Sequence, residues 1–133
     1  MGPVGPESQE AIRLFDKTVL MECVESDLEL FRTLFEVFEQ DRPGLLVAME
    51  KALERNDGAG LEQAAHKIKG ALGVFGAGIA EMSAARLERA GREGAVTAGL
   101  ALFPAFEATV LKTEDQLRDF LAELENEKGV RDS

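Results

Sequence analysis

With 133 residues and a formal net charge of −10, the chain is the size of one domain that can bury roughly two thirds of its unfolded surface. That charge argues against nucleic acid and anionic membrane surfaces as partners, because a phosphate backbone demands concentrated Lys and Arg. The lone Cys23 excludes an intrachain disulfide and a thiolate metal knuckle, and no run approaches the roughly 20 apolar residues of a membrane span, so a cytoplasmic protein is expected.

The hydrophobic share of 45%, with eight Phe and no Trp or Tyr, suits helices better than sheets. The expected fold is all-α: an antiparallel up-down four-helix bundle with an additional N-terminal helix. Residues 1–8, rich in Gly and Pro, read as a flexible tail, 9–127 as the bundle and 128–133 as a second polar tail.

In chain order, Ser8 is positioned to cap a helix over Gln9 to Val24, with Ile12, Phe15, Val19 and Leu20 at core spacing. Ser26 or Asp27 caps the next, whose Leu28, Phe31, Leu34, Phe35 and Phe38 form a stripe that reads as bundle core rather than ligand pocket. Pro43 should kink that helix, which then resumes to about Arg55. The run Asn56-Asp57-Gly58-Ala59-Gly60 is a turn by composition.

The following helix carries the only histidine. Leu61, Ala65, Ile68, Leu72 and Phe75 make its core stripe, and at about 100° per residue His66 lies roughly 140° away, facing water. Lys69 falls on the flank one turn along, with Lys67 about 100° from the histidine and Glu62 one turn before it. Gly70 and Gly73 each cost about 1 kcal/mol in a helix interior, which is explained if they strip side chains from the surface beside the ring.

Gly76 and Gly78 should end this helix, and Ile79, Met82, Ala85/Arg86, Leu87 and Ala90 should mark the inner face of a fourth, closed by Gly91-Arg92-Glu93-Gly94. The run Arg86-Leu87-Glu88-Arg89 reads as a solvated face. A last helix is expected from about Thr97 to Asn126, with Leu100, Phe103, Phe106, Val110, Leu117, Phe120, Leu121 and Leu124 inward, and Pro104 bending it or marking its start.

The run Ala65-His66-Lys67-Ile68-Lys69-Gly70, then Gly76, then Ala85-Arg86-Leu87-Glu88 and Gly94, resembles the histidine-containing phosphotransfer (HPt) domain of bacterial phosphorelays. Phe15-Asp16, Asp27, Leu30-Phe31, Phe35, Phe38 and Pro43 extend the resemblance upstream, so it spans roughly Glu10 to Glu125. It implies that His66 accepts a phosphoryl group from a receiver-domain aspartate and passes it to another receiver. Lys69 would stabilise charge and Gly70 would permit close approach, with Gly73, Lys67 and Glu62 as further candidate binding residues. The implied partners are receiver domains of response regulators or of a hybrid sensor histidine kinase, docking on the histidine helix and the Asp27 to Gln40 segment.

The residues agree with that chemistry: an exposed imidazole is largely neutral at cytoplasmic pH and keeps a nucleophilic lone pair, and Lys69 adds a cation beside the moving charge. No nucleotide-binding glycine loop is present, so no ATP site and no cofactor is expected in this chain, with Mg²⁺ carried by the receiver. Two other readings remain: the phosphorylated domain of a chemotaxis-type histidine kinase, whose motif is similar, and a helical binding module in which His66 is idle. A metal-dependent bundle enzyme fits least, because Glu62 precedes His66 by four residues rather than the three of a Glu-x-x-His pair.

Overall fold

The computed structural model describes residues 12–132, with side chains through residue 128. Its helices are α1 (Lys17–Cys23), α2 (Leu28–Glu54), α3 (Gly58–Val74), α4 (Gly78–Arg92) and α5 (Val96–Asp132). The connections 55–57, 75–77 and 93–95 are too short for anything but reversal, so α2 to α5 run up and down. Each packs on its neighbours in a ring, α2 on α3, α3 on α4, α4 on α5 and α5 back on α2. Cross-helix pairs show the antiparallel sense: Arg32 meets Glu125, whereas Arg42, further along α2, meets Glu114, earlier on α5. The all-α bundle with an extra N-terminal helix is therefore the observed architecture.

The phenylalanine stripe is core. Phe31, Phe35 and Phe38 of α2 are buried against Phe75, with ring centroids 6.4, 6.3 and 5.6 Å away. Phe120 of α5 joins them at 6.0 Å from Phe31 with the rings tilted by 42°, while Phe35 and Phe38 meet Phe75 edge-on, an arrangement aromatic rings prefer.

Several boundaries differ from expectation. Ser8 and residues 9–11 lie outside the described residues; α1 begins only at Lys17, because Asp16 is the cap, its Oδ1 accepting from the amides of Thr18 and Val19. Ile12 is exposed, and its carbonyl accepts from the Gln116 side chain. Val19 is exposed too, while Phe15, Leu20 and Val24 are buried. The Asp16 amide donates to the carbonyl of Gly76 at 2.9 Å, and a Cβ on Gly76 would stand 2.8 Å from the Asp16 carbonyl oxygen. Only glycine, at φ 67°, fits this turn, and so α1 seals the end of the bundle at which α3 passes into α4.

Asp27, not Ser26, caps α2. That helix is continuous through Pro43, where Arg42 next to the missing amide and Glu39 one turn before it are tied to α5 through Glu114 and Arg118. The expected glycine turn is shorter, because Asp57 accepts from the Gly60 amide and starts α3 at Gly58. Likewise α5 starts at Val96, contains Pro104 in its interior and runs through Asp132, and Leu100 is exposed on it.

The inner face of α4 is the main correction. Ile79 and Met82 are 52% and 63% exposed, while Ala80, Ala84, Leu87, Ala90 and Gly91 are buried. Close packing explains the swap: a Cβ on Gly91 would lie 2.5 Å from the Gly58 carbonyl oxygen and 2.7 Å from the Glu62 amide. Small residues let α3 and α4 nearly touch, so the larger ones turn outward.

Candidate functional site

The close α3–α4 crossing decides what surrounds His66. The ring projects from the middle of α3 with its side chain 68% exposed, and its Nδ1 lies 2.8 Å from Oε2 of Glu88 on α4. Oε1 of the same carboxylate accepts from Lys69 Nζ at 2.6 Å. Arg92, one turn after Glu88, places Nη2 3.4 Å from Oε2 and donates from Nε to Glu62 at 3.0 Å.

Glu88 is therefore no part of a solvated face: it is 6% exposed and its oxygens are shared among His66, Lys69 and Arg92. The hydrogen bond from Lys69, followed by that to His66, holds its carboxyl below the usual carboxylate range against the opposing effect of burial. A carboxylate only accepts, so the bond to the ring assigns a proton to Nδ1 and leaves Nε2 outside that hydrogen bond.

The sequence-predicted residues divide into those at the ring and those beside it. Lys69 reaches the site through Glu88, and Glu62 through Arg92. Gly70 is exposed with no atom within 4 Å of where a Cβ would stand, so the surface one turn from His66 is open. Gly73 differs from expectation: a Cβ there would meet the Glu81 carboxylate of α4 at 3.0 Å, so this glycine accommodates α4 rather than clearing the histidine face. Lys67 borders both the concavity that holds His66 and Glu88 and the groove between α3 and α2. Glu88, Arg92 and Gly91 were not identified as site residues; the signal available for them was the small-residue pattern Ala80, Ala84, Gly91, which turns Glu88 toward α3. Among the described residues, no group of three or more His, Cys, Asp or Glu could hold a metal.

An apolar depression of about 560 Å³ runs beside the site between α2 and α3, lined by Val37, Phe38 and Leu45 on one side and Ala71 and Val74 on the other.

The family model of the Hpt domain matches residues 33–127, which includes the whole of α3 and α4. The chain belongs to the Hpt domain family, and is thus a phosphotransfer intermediate of the phosphorelay type rather than a kinase with its own ATP site. The crystal structure of histidine-containing phosphotransfer protein B from Pseudomonas aeruginosa PAO1 superimposes with a TM-score of 0.76 at 23% identity, covering 83% of this chain and 96% of that one. The two share a fold. No curated protein matches the chain in sequence. Hpt domains interact with receiver domains, and among the described residues no helix is long and apolar enough to cross a membrane.

Proposed function

We propose that His66 is the phospho-accepting residue, taking its phosphoryl group from an aspartyl phosphate on one receiver domain and giving it to the aspartate of another. The observation that carries this reading is the pairing of an exposed imidazole with a buried carboxylate, Nδ1 to Glu88 at 2.8 Å, which leaves Nε2 free.

In the transfer, the Nε2 lone pair attacks phosphorus, the P–N bond forms, and the P–O bond to the aspartyl carboxyl breaks with its electron pair leaving on that carboxylate. The Nδ1 proton stays in place, so the phosphorylated ring is cationic, and the adjacent Glu88 anion stabilises it. Little else is asked of the protein, since phosphoryl transfer depends mainly on in-line positioning and on cations near the shifting charge. Lys69, held on Glu88, supplies such a cation beside the ring. Gly70 leaves the approach to the ring unobstructed. Mg²⁺ belongs to the receiver in this scheme, and the apolar depression between α2 and α3 is the surface on which the receiver rests.

The test is incubation with a panel of receiver domains phosphorylated in the presence of Mg²⁺. Acid-labile, base-stable phosphate should appear on the wild-type chain and vanish in His66→Gln, with helical content and melting temperature nearly unchanged, because an exposed side chain contributes little to stability. Label retained on the variant would sink the assignment.

A further inference from the structure

The groove between α2 and α3 changes chemistry at Lys67. Toward the C-terminal end of α3 it is the apolar depression, with Asp41 the acidic residue at its edge. Toward the N-terminal end it continues as a concavity of about 350 Å³ into which Lys51, Arg55 and Lys67 converge, with Gln63 beside them. Asp57 also lines this end and caps α3 by accepting from the Gly60 amide, so its single negative charge offsets part of the cationic cluster.

These three cations differ from the others around the site. Lys69 and Arg92 are both in ion pairs, as are Arg42 and Arg118 on the α2–α5 side. None of Lys51, Arg55 and Lys67 is in an ion pair among the described residues. On a chain of net charge −10, a groove end that sets three cations against the one carboxylate of Asp57 is opposite in sign to the molecule as a whole.

We propose that Lys51, Arg55 and Lys67 dock an acidic patch on the surface of the partner receiver domain, and so fix the direction in which the receiver lies along the groove. This rests on the reading of His66 as phospho-acceptor. A groove apolar throughout would accept a partner in either direction. Cations at one end and Asp41 at the other penalise the reversed pose, because like charges meet or a charge is left unpaired. The same charges accelerate encounter with an acidic partner that the net charge of the chain would otherwise repel.

The experiment compares transfer from the fastest receiver of the panel with direct labelling by phosphoramidate, a small donor that needs no docking surface. Wild type, Lys51→Glu/Arg55→Glu and a Lys112→Glu control on α5 are measured at low salt and at 1 M salt. The double variant should lower the ratio of receiver-driven to phosphoramidate-driven labelling about tenfold at low salt, whereas the control should match wild type. At 1 M salt, where the Debye length is about 3 Å, wild type and double variant should converge. Circular dichroism checks that the fold is retained. An unchanged ratio in the double variant, or an equal fall in Lys112→Glu, overturns the docking inference while leaving His66 as acceptor. Failure of both donors to label wild type overturns the acceptor reading and the docking inference with it.

Discussion

Glu88 and Glu114 are both nearly buried, at 6% and 4% exposed, and each is shared by several cations or an imidazole. Glu114 lies between α2 and α5, where Arg42 grips it through Nε at 2.7 Å and Nη2 at 3.1 Å, and Arg118 adds a third bond at 2.9 Å. All its partners are guanidinium groups, permanently charged and without a lone pair to offer. Glu88 lies between α3 and α4 with Lys69 and Arg92, but its remaining partner is an exposed imidazole whose second nitrogen takes no part in the cluster. A buried carboxylate in an ion cluster is thus not in itself a sign of function. If His66 is the phospho-acceptor, the distinguishing feature is a partner that passes the influence of the carboxylate on to a reactive atom in solvent.

The comparison breaks most sharply if the two clusters are removed separately. Glu114→Ala leaves Arg42 facing α5 without its anion and should destabilise the fold by about 3–5 kcal/mol, the usual result of deleting one partner of a buried pair. Phosphate acceptance per folded molecule should match wild type. His66→Gln should do the reverse. Denaturant melts combined with receiver-driven labelling measure both quantities; a Glu114→Ala protein that stays folded but no longer accepts phosphate would show that the α2–α5 cluster reaches the site.

An intermediate effect is expected at Glu88, where structure and chemistry overlap. Glu88→Ala frees the ring to turn and strands Lys69, and a displacement of about 1 Å at a reacting atom can slow transfer about a hundredfold. Glu88→Gln retains an acceptor for the Nδ1 proton without the charge, so its loss should be nearer tenfold, since a neutral acceptor is about half as strong. The acid limb of stability sharpens the point. A carboxyl lowered in the folded state contributes stability that is complete above its ordinary range and is lost as pH falls through the lowered value. Wild type should therefore lose stability below about pH 4, and Glu88→Gln should lack that part of the decline. Identical acid melts of the two proteins would mean that the Lys69–Glu88–His66 bonds are not kept in solution.

These residues also show where sequence reading stopped. The exposure of His66 was legible because Leu61, Ala65, Ile68 and Leu72 define the opposite face by spacing alone, and each is buried. The bundle was legible for the same reason, through the phenylalanine stripe of α2. Glu88 was not, because ranking residues by hydrophobicity put Ile79 and Met82 inside α4, whereas the Gly58–Gly91 crossing demanded alanines there. Periodicity reports which residues avoid water. It does not report how closely two helices approach, and here that distance turns a glutamate in a charged run into the partner of the histidine. The caps at Asp16 and Asp27 were missed or left open because Ser and Asp serve equally well by residue type, and only the backbone position decides between neighbours.

The smallest effect is expected at Gly70, and it separates the two glycines that sequence alone had treated alike. A Cβ on Gly73 would press on the Glu81 carboxylate at 3.0 Å, so alanine there asks a neighbour on α4 to move. A Cβ on Gly70 meets nothing within 4 Å. Gly70→Ala should thus recover the helix propensity that glycine forgoes, about 1 kcal/mol, and raise the melting temperature by about 4 °C. The added methyl stands one turn from His66, on the surface a receiver must approach to bring phosphorus in line with Nε2. Receiver-driven transfer should slow severalfold, and more than phosphoramidate labelling does, since the small donor can enter around a single methyl group. Stability and transfer would then move in opposite directions at one position. A Gly70→Ala protein that is more stable and transfers at the wild-type rate would show that the receiver does not close over this turn of α3, and that the cost in helix propensity at this position has another origin.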